Sequence, residues 1–239
     1  MMIAQPNHDG SFSCTLFMPF NTSDSPTGAF DMLNTEDNVL SFFNQHFSDA
    51  IPLLPTLLDD WFSRPTSPLC TVRCSPFNHG GAALLIGDAA HAIVPFYGQG
   101  CNSAFEDCAL LDDLWESCGA DTAEVFREFS EKRKRHVDAI GDLAIEHYHE
   151  LANKVTPPLS TQVWRAWNGW VEGNYIFRKM VPTYTSLYHA VSFSHDGYDD
   201  ARSKGVAAEE YLGQVSAVVA AGVLAVAAMV AVQRRQAAV

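Results

Sequence analysis

Basic residues are scarce in this chain, and several familiar motifs are missing from it. Fifteen Lys and Arg stand against 28 Asp and Glu, a formal net charge of −13. That balance speaks against nucleic acid as a partner, because binding such a polyanion draws most of its free energy from cationic side chains that displace counterions. A small molecule suits the chain better. The six cysteines, Cys14, Cys70, Cys74, Cys101, Cys108 and Cys118, contain no CxxC pair, so reduced thiols are expected rather than a disulfide framework. Met1 to Pro6 has neither a basic segment nor a long apolar core, which excludes a secretory signal there. No internal repeat is present.

Two further absences bear on chemistry. There is no GxGxxG: Gly80-Gly81 precedes an expected strand, and Gly98-Gln99-Gly100 lacks the later glycine, so a dinucleotide-binding βαβ unit is not in this sequence. There is no HExxH either. His147 and His149 are two positions apart, which on a helix aims their imidazoles about 200° apart, so no zinc site is expected.

What is present suits a folded chain. Its 239 residues are 47% apolar, enough for one large domain or two small ones with a buried core. Asn7-His8-Asp9-Gly10 lies between two apolar runs, predicting a hairpin with strands near 2–5 and 11–18. A first strand with no lead-in expects a neighbour, which hints that the chain is part of something longer. Val39, Leu40, Phe42, Phe43 and Phe47 predict an amphipathic helix over 36–47, and the proline-dense 51–68 stretch predicts irregular connection.

Residues 69–74 and 82–86 read as strands, the second running into Gly87-Asp88. After a glycine-rich turn a helix is predicted from Asn102 or Ser103, with Glu106 and Asp107 at the positive end of its dipole. Asp121-x-x-Glu124 resembles a capping box opening a helix to about Lys154, bent at Gly141. Further helices are expected near 160–180 and 184–194, with Trp164, Trp167 and Trp170 as core or membrane-interface packing. The basic run Lys132-Arg133-Lys134-Arg135 reads as a solvated helix face without a function. Val215 to Val232 is uncharged and followed by Arg234-Arg235. Eighteen helical residues reach roughly 27 Å, so this run is either a buried Ala/Val-rich helix or a membrane-spanning tail with the folded part on the cytosolic side.

The chemistry concentrates in one segment. Leu85-Ile86 delivers Gly87 and Asp88 at a strand's carboxyl end, where α/β folds bind ligands and a carboxylate accepts hydrogen bonds from ribose or ribityl hydroxyls. Pro95-Phe96-Tyr97-Gly98-Gln99-Gly100 then places small residues before a helix N-terminus, where backbone N–H groups can approach a flat ring that becomes anionic on reduction. His91 is either a hydrogen-bonded loop histidine or a group that touches the ligand.

Taken together, Gly87-Asp88-Ala89-Ala90-His91, Pro95, Gly98-Gln99-Gly100, Asn102 and Glu106-Asp107 resemble the second flavin fingerprint of the FAD-dependent aromatic hydroxylases. The likeness is strongest to members that hydroxylate kynurenine. It is carried also by Met2-Ile3-Ala4-x-Pro6-Asn7, Cys14 to Phe20, Asp49 to Leu53 and His91 to Phe96, and it covers most of 2–195.

The resemblance implies an α+β to α/β fold that is part of such a hydroxylase. Residues 1–80 would be the remainder of a substrate-binding β-sheet domain and 81–120 the second FAD-contacting strand, loop and helix. Residues 121–205 would form a helical substrate-capping region, and 209–235 a transmembrane anchor in the mitochondrial outer membrane. It implies FAD and NADPH as cofactors, and kynurenine and O2 as partners. Asp88, Gly98, Gln99, Gly100, Cys101 and Asn102 would face the FAD. Pro95, Phe96 and Tyr97 would border the substrate ring, and Tyr188 would hold its amino-acid end. His147 stands where the family places an asparagine. No general base is expected, since the cofactor carries the hard step and the protein keeps water out. The alternative is a non-catalytic, tail-anchored binding module or relic.

Overall fold

The computed structural model describes residues 1–24, 28–152 and 185–236, with Ala166 and Gly169; beyond Val215 only the side chains of Gly222 and Met229 are described. The helix expected near 160–180 and the Trp164, Trp167 and Trp170 series lie outside the described residues. The chain divides into two compact units, Met1–Leu69 and Cys70–Val239.

In the first unit β1 (Met2–Pro6) pairs antiparallel with β2 (Phe12–Leu16), Met2 opposite Leu16 and Pro6 opposite Phe12. The turn works as its residues predict. Asp9 Oδ1 accepts the Ser11 N–H at 3.0 Å, and Gly10 sits at φ 83°, a region that suits a residue without Cβ. Helix α1 (Glu36–His46) begins where Thr35 Oγ1 accepts the Asn38 N–H at 3.3 Å. Glu36 and Asp37 complement its N-terminal dipole.

Val39 and Phe43, four residues apart, are buried with Leu33; Met2, Leu16, Leu57, Leu58 and Trp61 pack against them. Each fully buried side chain of this size contributes about 1.5–3 kcal/mol. The supposed irregular stretch 51–68 contains helix α2 (Leu57–Ser63), because Leu57, Leu58 and Trp61 share a face toward that core. Trp61 Nε1 donates to Leu33 O at 3.1 Å.

In the second unit the expected strands are much reduced. Residues 69–74 form no strand, and of 82–86 only β4 (Ala83–Leu84) does, pairing with β3 (Asn78–His79). The Leu85 N–H goes to Phe77 O at 2.8 Å, one rung beyond the β3–β4 pair, whereas the Val72 N–H goes to Ala92 O at 2.8 Å, just past the end of the helical turn 88–91, and not to a strand. A strand exists only where a partner strand is available, and propensity alone does not supply one. The β-sheet expected in residues 1–80 is therefore limited, among the described residues, to a hairpin and this two-residue pair.

Helices build the rest. Helix α3 (Asp88–His91) is one turn, α4 runs Gly100–Ser117 and α5 runs Thr122–Ala152. Helix α4 starts at Gly100 with Gln99 as its N-cap, ahead of the predicted Asn102 or Ser103, so Glu106 and Asp107 lie beyond the first turn. The start of α5 is as predicted: Asp121 Oδ1 accepts the N–H groups of Ala123 and Glu124 at 3.0 and 3.4 Å. The helix continues through Gly141, where a Cβ would meet the Arg73 guanidinium at 3.4 Å; close approach accounts for that glycine. Val125, Phe129, Arg133, Val137, Ile140 and Ala144 recur along its buried face.

Helix α6 (Leu187–Phe193) is capped by Ser186, and α7 runs Tyr198–Gln236. Phe77, Ala90, Leu114, Val125 and Phe129 form one core cluster, while Tyr97, Ile140, Leu143, Val191, Tyr198 and Ala201 form another. Of the anchor expected over 209–235, the side chains of 209–215 and of Gly222 and Met229 are described. Among the described residues no helix is long and apolar enough to cross a membrane, and most side chains of 215–232 lie outside them. The described part of α7 carries Asp199, Asp200, Arg202 and Lys204 ahead of the interval expected to be anchor and Glu209 and Glu210 inside it, and it buries Ala201 before that interval and Leu212 within it.

Candidate functional site

The glycine at the tip of β4 fixes the first element of the site. Gly87 has φ 59° and ψ −145°, a conformation open essentially to glycine alone. It turns the chain so that Asp88 opens α3 with its side chain exposed. A three-residue turn at Pro95–Tyr97 ends at Gly98, left-handed at φ 71°, and α4 begins two residues later. A Cβ on Gly98 would meet nothing within 4 Å. The first N–H groups of α4 have no intrahelical acceptor, so open space at Gly98 lies ahead of backbone donors of the kind that bind electron-rich groups.

The expected flavin-facing residues thus fall into two groups. Asp88, Gly98, Cys101 and Asn102 are exposed and Gly100 is partly so. Gln99 is 6% exposed, with Oε1 accepting from Asn102 Nδ2 at 2.9 Å and from the Tyr198 hydroxyl at 3.4 Å. The Gln99 side chain thus organises the loop from within, which leaves its backbone as the part that could meet a ligand.

The expected substrate residues assemble around Tyr97. Its ring lies 5.1 Å from His147 and 5.8 Å from Tyr188, centroid to centroid. Phe96 lies 4.6 Å from Tyr148, while Pro95 is exposed. Tyr97 is 8% exposed; burial, with smaller contributions from Tyr188 and nearby glutamates, pushes its phenol up to about 12. Three residues 41 to 91 positions apart in the chain therefore meet in one aromatic cluster, Tyr97 buried and Tyr188 55% exposed.

Beneath the loop lies a charged network missed at the level of sequence. Asp107, wholly buried, accepts the Gly87 N–H at 2.7 Å and stands 2.7 Å from His91 Nε2. Its other oxygen takes Arg133 Nε at 2.6 Å. Arg133 is 3% exposed, which corrects its reading as part of a solvated face. Nη1 donates to Glu106 at 2.8 Å and Nη2 to Ser103 O and Oγ at 2.8 and 2.9 Å. The guanidinium also sits 5.7 Å from the Tyr198 ring centroid. Burial alone would raise the Asp107 carboxyl, but hydrogen bonds from His91, Gly87 and Arg133 hold it below its ordinary value. An ionised carboxylate only accepts, so His91 Nε2 carries the proton. Of the two readings for His91, the hydrogen-bonded loop histidine is the one observed: it is 4% exposed. The available signal was the spacing, since Arg133 lies four residues from both Phe129 and Val137 on the apolar face of α5.

Among the described residues no group of His, Cys, Asp or Glu could hold a metal ion. A groove of about 760 Å³ lies among α4, α5 and residues 194–197, lined by Glu106, Glu128, Arg133, His136 and Asp196 among others. It includes none of the expected ligand residues.

Residues 55–144 match the FAD binding domain family, a stretch that contains Asp88, the Gly98 loop, Asp107 and Arg133. The chain is 38% identical over 236 residues to the kynurenine 3-monooxygenase of Dictyostelium discoideum, covering 90% of this chain and 47% of that protein. It is 42% identical over 209 residues to that of Anopheles gambiae, covering 83% and 38%. It is 45% identical over 154 residues to that of Flavobacterium johnsoniae, covering 64% and 34%. The chain thus spans less than half the length of these relatives.

Proposed function

From a chain that is a homologue of the kynurenine 3-monooxygenases and carries a match to the FAD binding domain family, we propose that it supplies one half of the flavin site and much of the substrate wall of an FAD- and NADPH-dependent monooxygenase that converts L-kynurenine to 3-hydroxykynurenine. The observation that carries this reading is an exposed carboxylate, Asp88, on a glycine-set turn packed on α4, where a Cβ on Gly87 would lie 3.5 Å from Ala104 and the Gly87 N–H reaches Asp107.

The residues divide the labour. Asp88 accepts hydrogen bonds from sugar or ribityl hydroxyls, and the first N–H groups of α4 face the electron-rich edge of the ring. FAD, when bound, supplies the redox chemistry that activates O2. Tyr97, with His147 and Tyr188 beside it, lines the aromatic substrate and keeps bulk water out. His147 offers a donor that suits the substrate's carboxylate. No side chain of this chain is required as a general base.

A chimera tests the whole. The part of the Dictyostelium relative not covered by this chain is joined to it, and flavin content, NADPH oxidation and 3-hydroxykynurenine are measured. Kynurenine-dependent NADPH oxidation with product is expected. A folded, flavin-loaded chimera that oxidises NADPH without any response to kynurenine would sink the substrate assignment. A folded chimera that takes up no FAD would sink the flavin half-site.

A further inference from the structure

The buried Asp107–Arg133 pair touches none of the positions expected to meet a ligand, yet it is fastened to both ends of the turn that presents Asp88. One oxygen, Asp107 Oδ2, takes the Gly87 N–H and the His91 Nε2 proton, each at 2.7 Å. Gly87 immediately precedes Asp88, and His91 is the last residue of α3. The second oxygen is taken by Arg133 Nε. The remaining Arg133 donors bind Glu106 and Ser103 in α4, the helix that begins two residues after Gly98. A single guanidinium on α5 therefore fastens α4 at three residues, one of them the carboxylate that holds α3.

The turn needs such a fastening. Gly87 occupies a conformation that a flexible residue leaves readily. A one-turn helix does not hold itself together either. An apolar pair of equal volume in place of Asp107 and Arg133 would fill the core at least as well. It would offer no acceptor to the Gly87 amide or to the His91 ring, so packing alone does not account for the charges.

We propose that Asp107, held by Arg133, is the positioning residue of the flavin half-site: by gripping Gly87 and His91 from behind it sets the direction in which Asp88 faces the ligand. This rests on the reading of Gly87 to Asn102 as flavin-facing. Asp107 touches no ligand and acts only through the backbone and the ring that it holds.

The test uses the 239-residue chain with three substitutions. Asp107→Asn removes the charged acceptor. His91→Phe keeps a ring beside Phe77, whose centroid lies 6.1 Å away, but removes the donor. His91→Gln keeps an N–H donor for Asp107. Amide hydrogen exchange reads the Gly87 N–H, and an NMR titration with FAD reads the shifts of Gly87, Asp88 and Asn102.

In Asp107→Asn and His91→Phe the Gly87 amide is expected to exchange roughly tenfold faster, and the FAD midpoint to rise by about fivefold or more, while α5 amides from Phe129 to Leu143 stay near wild type. His91→Gln is expected to restore both readouts to within about twofold of wild type. The inference is overturned if FAD binding is unchanged in Asp107→Asn and His91→Phe. It is overturned too if α5 loosens along with Gly87, which would make the network a stability element only. If Asp107→Asn does not fold, the His91 pair decides alone. A wild-type chain that shows no FAD shifts at millimolar ligand overturns the flavin reading instead, and does so recognisably, because Gly87 exchange would still respond to the variants.

Discussion

The Tyr198 hydroxyl donates to Gln99 Oε1 at 3.4 Å across 99 positions of sequence, and the same oxygen accepts from Asn102 Nδ2. The first residue of α7 is thereby joined to the N-cap of α4. The phenol is buried, which raises its pKa well above the ordinary value, with Glu106 adding to the shift.

Replacing Tyr198 separates the bond from the ring. Tyr198→Phe keeps the packing and the contact with Arg133, and should lose about 0.5–1 kcal/mol for one long neutral hydrogen bond. Tyr198→Ala leaves a cavity and should lose about 3–5 kcal/mol. Urea unfolding measures both. Equal losses would show that the hydroxyl alone carries the contribution.

His136 should make the second unit weaker in acid. Burial lowers its pKa, as do the charges of Arg135 and Arg133, against the opposing pull of Asp200 and Asp199. Its Nδ1 accepts the Asp199 N–H at 3.3 Å, which a protonated ring nitrogen is unable to do. With the folded value below the unfolded value of 6.5, the unfolded chain binds the proton more tightly. The contribution is therefore present above about pH 6.5 and lost as pH falls through the lowered value. The melting temperature should drop by about 2–4 °C between about pH 7.5 and pH 5, and by less in His136→Gln, whose amide oxygen still accepts. An equal drop in both proteins would clear His136 of the effect.

Two glycines of α7 should respond in opposite directions. An added Cβ on Gly205 would lie 2.7 Å from Leu187 Cβ and 2.8 Å from its Cα, so α6 would have to move. Gly205→Ala should destabilise by about 1–3 kcal/mol. Nothing lies within 4 Å of a Cβ on Gly213, and there alanine should stabilise by up to about 1 kcal/mol through helix propensity. Thermal melts compare them, and a stabilised Gly205→Ala would refute the close approach of α6.

Tyr97 governs the alkaline side. Its phenol ionises only near about 12 in the folded chain, against about 10 when exposed. The contribution is complete below about pH 10 and disappears as pH climbs through the folded value, up to about 2–3 kcal/mol in all. Tyr97→Phe should flatten the loss of stability between about pH 10 and pH 12. Absorbance at 295 nm should show two tyrosines titrating late, Tyr97 and Tyr198, and one fewer in Tyr97→Phe, and a wild-type profile of stability matching that of the variant would dismiss the role.

What the sequence determined alone was whatever depends on near neighbours. The Asp9-Gly10 turn, the Thr35 cap with Val39 and Phe43 behind it, and the Asp121 cap of α5 all follow from residues within a few positions of one another, because caps, turns and helical periodicity are local physics. The Gly87-Asp88 and Gly98-Gln99-Gly100 motif was legible for the same reason, and with it the likeness to flavin hydroxylases. Tertiary structure decided the rest. Residues 69–74 had strand propensity but no partner to complete a ladder. The sequence placed Arg133 in a basic run, yet its guanidinium is buried because Asp107 and Ser103, 26 and 30 positions away, supply the acceptors that make burial tolerable. A local pattern shows which side chains share a face, whereas the burial of a charge is settled by what arrives opposite it from another part of the chain.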